Sequence, residues 1–217
     1  ELEKKYQNKV QVVAMDLALP ESSEALFAKT QELGISVDIL INNAGFGIQG
    51  AVAEIPFEKE STMINLLAHN LVHLTKLFMK PMMDRDYGYI LNVSSLGAFQ
   101  PTPSYTTYAA LKSFVLNFSI ALDFELRESK VRCSALCPGA TATEFNQVSE
   151  HRNQTTFTKL TTMTSEKVAE IAVSKMLRGK RIIVPGVMNR ISAVVQTLIP
   201  RYQAAKIAYN SMGYNKN

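Results

Sequence analysis

The strongest constraint on this chain is an alternation. Short apolar, β-branched runs take turns along the sequence with longer segments of helical spacing. "KVQVVAMDL" (9–17) reads as a strand. "ESSEALFAKTQELG" (21–34) has helical spacing and a stop at Gly34. "VDILINNAG" (37–45) reads as a strand ending in a turn, and 57–83 as a long helix. "YGYILNVSS" (87–95) is another strand, 105–129 a second long helix, and "VRCSALCPG" (131–139) a strand running into a loop. A helix over 164–179, capped by Thr164 or Ser165, and a last strand in "KRIIVPG" complete the pattern. Strand and helix in this order build an α/β fold, a doubly wound parallel sheet with helices on both faces.

The chain has 217 residues, enough for one sizeable domain. Hydrophobic residues make up 47% and charged residues 19%, as in an ordinary globular protein. The net charge of +4 is mild and no basic run could track phosphates, which argues against nucleic acid as a partner. "RGKR" (178–181) reads as a solvated turn. No apolar run reaches the ~18 residues that would span a bilayer, and no signal-peptide pattern is visible, so a cytoplasmic protein is expected. Cys133 and Cys137 lack zinc-ligand spacing and are expected as buried thiols on one side of a strand.

In a parallel sheet of this kind ligands lie beyond the carboxyl ends of the strands. That rule selects Asp16, Asn42 to Gly45, Ser94 and Ser95, and Pro138 to Thr143. The neighbouring stretch "SYTTYAALK" adds Tyr105, Tyr108 and Lys112. Tyr108 and Lys112 are four apart and share a helix face. A cation one turn away favours the phenolate and is expected to lower the tyrosine pKa from its usual ~10. Tyr105 is two turns from Lys112 and reads as a pocket wall. A tuned phenol with a hydroxyl such as Ser95 nearby suits proton transfer to or from an alcohol or carbonyl oxygen. Y-x-x-x-K by itself is a weak signal, since many helices carry it by chance.

The constellation is more specific. "NNAG" (42–45) follows one strand, "VSS" (93–95) ends the next, and "CPGATAT" (137–143) follows the third, with Asn65 in the intervening helix. In this order and spacing the chain resembles the classical short-chain dehydrogenase/reductase family over nearly its whole length. The resemblance implies a Rossmann-like, single-domain fold and an NAD(P)-dependent oxidoreductase interconverting an alcohol and a ketone or aldehyde. It implies Tyr108 as proton donor or acceptor, Ser95 steadying the substrate oxygen, and Lys112 tuning Tyr108 and binding the nicotinamide ribose. Asn65 would hold a relay water. Asp16, Asn42, Ala44 and Gly45 would lie along the adenosine side of the cofactor, and Pro138, Gly139 and Thr143 along the nicotinamide. Members commonly pair through the two long helices, so a homodimer or homotetramer is expected. NADP is expected, with NAD as the other option, and the substrate is a small carbonyl or alcohol.

The chain departs from that pattern at its start. It begins at Glu1 without the family's Gly-rich phosphate turn, and the N-terminal βαβ part is absent from this sequence. The expectation is an additional N-terminal unit of at least ~30 residues. The alternative reading, if the short chain is natural, is a non-catalytic cofactor-binding or scaffold homologue. His69 and His73 share a helical stripe with Asn65 but lack a third ligand, so no metal is expected. Phe46, Phe99, Tyr105 and Phe145 are candidate pocket walls, and the polar loop 147–163 a candidate lid. The segment 188–212 is amphipathic, with a break expected at Pro200. It reads as a cleft cover or second interface, with no firm membrane association.

Overall fold

β2 (Gly88–Val93) and β3 (Val131–Leu136) form the centre of the sheet because both are apolar enough to be covered on each side. The computed structural model describes residues 2–142 and 162–211. Among these, β1 (Ile39–Asn42), β2, β3 and β6 (Ile182–Ile183) form a parallel sheet in the order β1-β2-β3-β6. β4 (Thr141–Ala142) and β5 (Met163–Thr164) pair separately.

The helices are α1 (Leu2–Tyr6), α2 (Ser22–Glu32), α3 (Phe57–Ile64), α4 (Asn70–Asp84), α5 (Thr106–Glu125), α6 (Ser165–Leu177), α7 (Val187–Leu198) and α8 (Arg201–Ser211). Successive strand residues face opposite ways. Ile90, Val131 and Cys133 pack with Leu74, Phe78 and Met82 of α4 and Leu122 of α5. Leu91 and Leu136 pack against Val168, Ala172 and Met176 of α6 on the other face. Each such buried side chain contributes roughly 1.5–3 kcal/mol. Gly88 lets β2 start hard against α4, where a Cβ would meet the Met82 side chain at 2.5 Å.

This is the Rossmann-like doubly wound arrangement expected from the alternation. Both cysteines are buried on the α5 side. Thr164 rather than Ser165 caps α6, accepting from Lys167 N. The C-terminal segment breaks as expected, α7 ending at Leu198 and α8 starting after Pro200.

Three readings need correction. Residues 9–17 are not a strand and make no ladder with any described element, because a strand is a pairing and β1 bonds to β2 alone among them. The last strand shrinks to two residues. The long helix expected over 57–83 is interrupted by a π-turn at Asn65–His69, where the Asn70 N–H reaches back to the Asn65 carbonyl. Thr143, Phe145 and most of the 147–163 loop lie outside the described residues.

Candidate active site

The carboxyl ends of β2 and β3 run on together beyond the strands. Ser94 N donates to Leu136 O at 2.7 Å and Leu96 N to Pro138 O at 2.8 Å. This holds the Ser94–Ser95 turn beside the Pro138–Gly139 loop. Ser95 is extended and caps a short 3-10 turn (Leu96–Phe99), its hydroxyl accepting from Gly97 N at 3.1 Å.

α5 is tied to this edge by a reciprocal pair. Ser94 Oγ donates to the Lys112 carbonyl at 2.7 Å, and Lys112 Nζ donates to the Val93 carbonyl at 2.8 Å. Lys112 is therefore a buried ammonium with one of its three donors on the strand end. Its Nζ lies 5.6 Å from the Tyr108 ring centroid. The Ser95 side chain hydrogen-bonds Tyr108. Gly45 closes the group from β1's end, where a Cβ would sit 2.7 Å from Leu67 Cδ2 and 3.7 Å from Lys112 Nζ. Only glycine allows that approach.

The electrostatics differ from the expectation. Burial pushes the Tyr108 phenol up to about 12, and the Ser95 hydrogen bond offsets part of that. Burial also pushes the Lys112 ammonium down to about 8, against the Cys137 side chain. At this depth the loss of water disfavours each charged form and dominates both shifts. Tyr108 thus keeps its proton at neutral pH.

Ser95, Tyr108, Lys112, Gly45 and Pro138 come together as expected. Asn65 opens the π-turn, beside Leu66 and Leu67, which pack in one cluster with Tyr108. Asn42 does not present its amide to the cleft. Its Nδ2 donates to Asn92 Oδ1 at 2.8 Å and Thr75 Oγ1 at 3.0 Å inside the fold. Asp16 and Ala44 are exposed, and Asp16 Oδ1 accepts from Ala18 N at 2.9 Å.

Two clips around Tyr108 escaped the sequence reading. Tyr105 Oη donates to Gln49 Oε1 at 3.1 Å, and Thr107 Oγ1 donates to the buried Glu60 at 2.6 Å. Gly50 N also donates to the Ser104 carbonyl at 2.9 Å, with Ser104 at φ +65°. Together they hold the loop after β1 against the start of α5. Ring contact between Tyr105 and Tyr108, 6.1 Å between centroids, completes the wall. Partners some 50 residues apart leave no local signal. The His69 and His73 rings sit edge to face at 6.2 Å, with His73 Nε2 3.7 Å from Glu24. Among the described residues no group of three or more His, Cys, Asp or Glu side chains could hold a metal.

A parallel α/β sheet with its candidate site residues at the carboxyl edge is the Rossmann-like doubly wound class. The family model for short chain dehydrogenase matches residues 1–154, and the chain belongs to that family. It is 28% identical over 176 residues to an NADP-dependent 3-hydroxy acid dehydrogenase of Escherichia coli O157:H7, covering 78% of this chain and 71% of that protein. It is 26% identical over 221 aligned positions to the very-long-chain 3-oxoacyl-CoA reductase of Rattus norvegicus, covering 100% of this chain and 66% of that protein. Among solved structures, a 7beta-hydroxysteroid dehydrogenase superposes with a TM-score of 0.84 at 21% identity, covering 95% of this chain and 80% of that one. A short-chain dehydrogenase from Sphingobium yanoikuyae in complex with NADPH gives 0.76 at 24%, covering 91% and 77%. These likenesses establish the fold.

Proposed function

We propose that the protein is a cytoplasmic oxidoreductase that interconverts an alcohol and a ketone or aldehyde with NADP(H), NAD(H) being the other option. The observation that carries this is the cluster itself: a buried, protonated Tyr108 bonded to Ser95, with the Lys112 ammonium pinned beside its ring. The similarity to the NADP-dependent dehydrogenase of Escherichia coli supports the cofactor choice.

The residues present suit a nicotinamide dinucleotide. Lys112 has two ammonium donors beyond the one on Val93, suited to ribose hydroxyls. Gly45 leaves backbone close to Lys112 without side-chain bulk, Pro138 and Gly139 form the loop beside the Ser95 turn, and Ala44, Asp16 and Thr143 would extend the contact. When bound, that group supplies or accepts the hydride.

Tyr108 Oη then gives its proton to the carbonyl oxygen, or takes it back from the alcohol. Ser95 Oγ donates a hydrogen bond to the same oxygen and steadies its developing charge. Lys112 stabilises the phenolate left behind, and Asn65 marks where a relay water would return a proton. Phe46 and Ile48, packed in the cluster that includes Tyr108, suit an apolar substrate. Phe114 and Phe124 of α5 face outward, which supports a homodimer or homotetramer built on that helix.

Tyr108→Phe in the full-length protein tests the assignment. Reduction of a panel of aldehydes and ketones with NADPH should fall by roughly 10²–10⁴ in kcat. Cofactor binding, read by fluorescence titration, should stay unchanged. Undiminished turnover would put the acid elsewhere.

A further inference from the structure

We propose that the outer face of α7, continued by α8, docks on the surface of an anionic lipid bilayer. α7 is amphipathic in the opposite sense to a core-facing helix. Its buried positions are Asn189 and Ala193, while Val187, Met188, Ile191, Val194, Val195 and Leu198 are all exposed. At ~100° per residue those six cover roughly 120° of the helix surface, a full apolar stripe. Val194 is 60% exposed and Leu198 77%. A continuous outward stripe of this kind marks an interaction surface rather than scattered surface apolar residues.

Charge selects the partner. From Val187 to Ser211 the sequence holds no Asp or Glu, and Arg190, Arg201 and Lys206 are all exposed. On α8 the buried line is Ala204 and Ala208, and the outer line at i, i+4, i+7 is Tyr202, Lys206 and Tyr209, with Tyr202 87% exposed. Cations pair with lipid phosphates, tyrosine rings sit at headgroup level, and an apolar stripe enters the acyl boundary. A second copy fits less well. In a two-fold contact the patch meets itself, so a surface carrying Arg190, Arg201 and Lys206 and no acid faces an equally basic copy. Among the described residues no helix is long and apolar enough to cross a membrane, so the helices would lie on the bilayer. This surface stands whatever chemistry the cleft performs.

The test is co-sedimentation of the full-length protein with phosphatidylcholine vesicles, with and without about one third phosphatidylglycerol. The protein should pellet with the anionic vesicles and be released by salt. Val194→Glu combined with Leu198→Glu should weaken binding by roughly 30-fold or more. Replacing Arg190, Arg201 and Lys206 by Gln should flatten the salt dependence. Both stripe positions face solvent, so the melting transition should persist, and Ile191→Gln serves as a milder variant if it does not. Failure to pellet, or pelleting that the stripe variants leave unchanged, overturns the proposal. So does a doubled mass in light scattering that the stripe variants reverse while the protein ignores vesicles, because the stripe is then a contact between copies.

Discussion

The β2–β3–α5 interior and the β1 side of the molecule are built to different standards. In the interior the buried side chains of Asn92, Ser94, Lys112, Ser119 and Asp123 are all answered, and Ser134 Oγ of β3 is an exception. Asn92 takes a hydrogen bond from Asn42 and gives one to Ser119 at 2.9 Å. Buried Asp123 receives Cys133 N at 3.1 Å and Arg181 Nε at 2.6 Å, joining α5 to β3 and to the start of β6. On the β1 side, Ile39 and Ile41 are 41% and 47% exposed, and residues 9–17 pair with no described strand. What fastens that side is Asn70, whose Nδ2 donates to Leu17 O at 2.6 Å and Leu19 O at 2.8 Å. The proposed proton-handling residues Ser95 and Lys112 are therefore anchored by contacts among β2, β3 and α5, with Gly45 and the Gln49 and Glu60 clips closing the group from the β1 side. The residues proposed for the adenosine side, Asp16 and Ala44, rest on a far lighter framework.

Lys112→Met should have the largest effect, lowering kcat by roughly 10²–10⁴ if the ammonium stabilises the Tyr108 phenolate. It also has a pH signature. Its folded value of about 8 lies below the ordinary 10.5, so above pH 8 the unfolded chain holds a proton that the folded chain has shed. Stability from this group rises with pH through that window, and the cost of the buried ammonium is fully present below it. Cys133, Cys137 and Tyr108, raised to about 12 from 9.0, 9.0 and 10.0, act the opposite way above those ordinary values. Over pH 8–9 the two cysteines offset part of the Lys112 gain, and subtracting the Lys112→Met variant cancels them. Urea unfolding of the cofactor-free wild type should gain about 1 kcal/mol over Lys112→Met across it. A flat difference would mean the ammonium is not desolvated.

Asn92→Ala should come next. It leaves the Asn42 amide and the Ser119 hydroxyl short of a buried partner, costing about 2–3 kcal/mol in chemical denaturation. A loss below ~0.5 kcal/mol would show that the interior network is not what distinguishes the two regions. Asn70→Ala tests the fastening of the other side. Amide exchange over residues 17–23 should speed up well before global stability drops by more than ~1–2 kcal/mol. Uniform acceleration across β2 and β3 instead would make the two regions one cooperative unit. Ile41→Thr should matter least, within ~0.5 kcal/mol, because the side chain already meets solvent.

Much of this was legible along the chain because it is local. Period 2 and period 3.6 separate strands from helices, so the alternation and the parallel sheet could be read directly. The four-residue spacing puts Tyr108 and Lys112 on one face, and the carboxyl-edge rule finds Ser95 and Pro138. Other features depend on what lies across the fold. "KVQVVAMDL" has strand composition, yet it forms no ladder because pairing belongs to two segments. The Gln49–Tyr105 and Glu60–Thr107 clips join residues 56 and 47 positions apart. The Lys112 anchor is a backbone carbonyl, which no side-chain pattern encodes. The spacing of α7 reveals an apolar face but not that it points outward. The acidity of Tyr108 was misjudged for the same reason: sequence shows a cation four residues away, whereas burial, which only packing sets, decides whether that cation or the loss of water prevails.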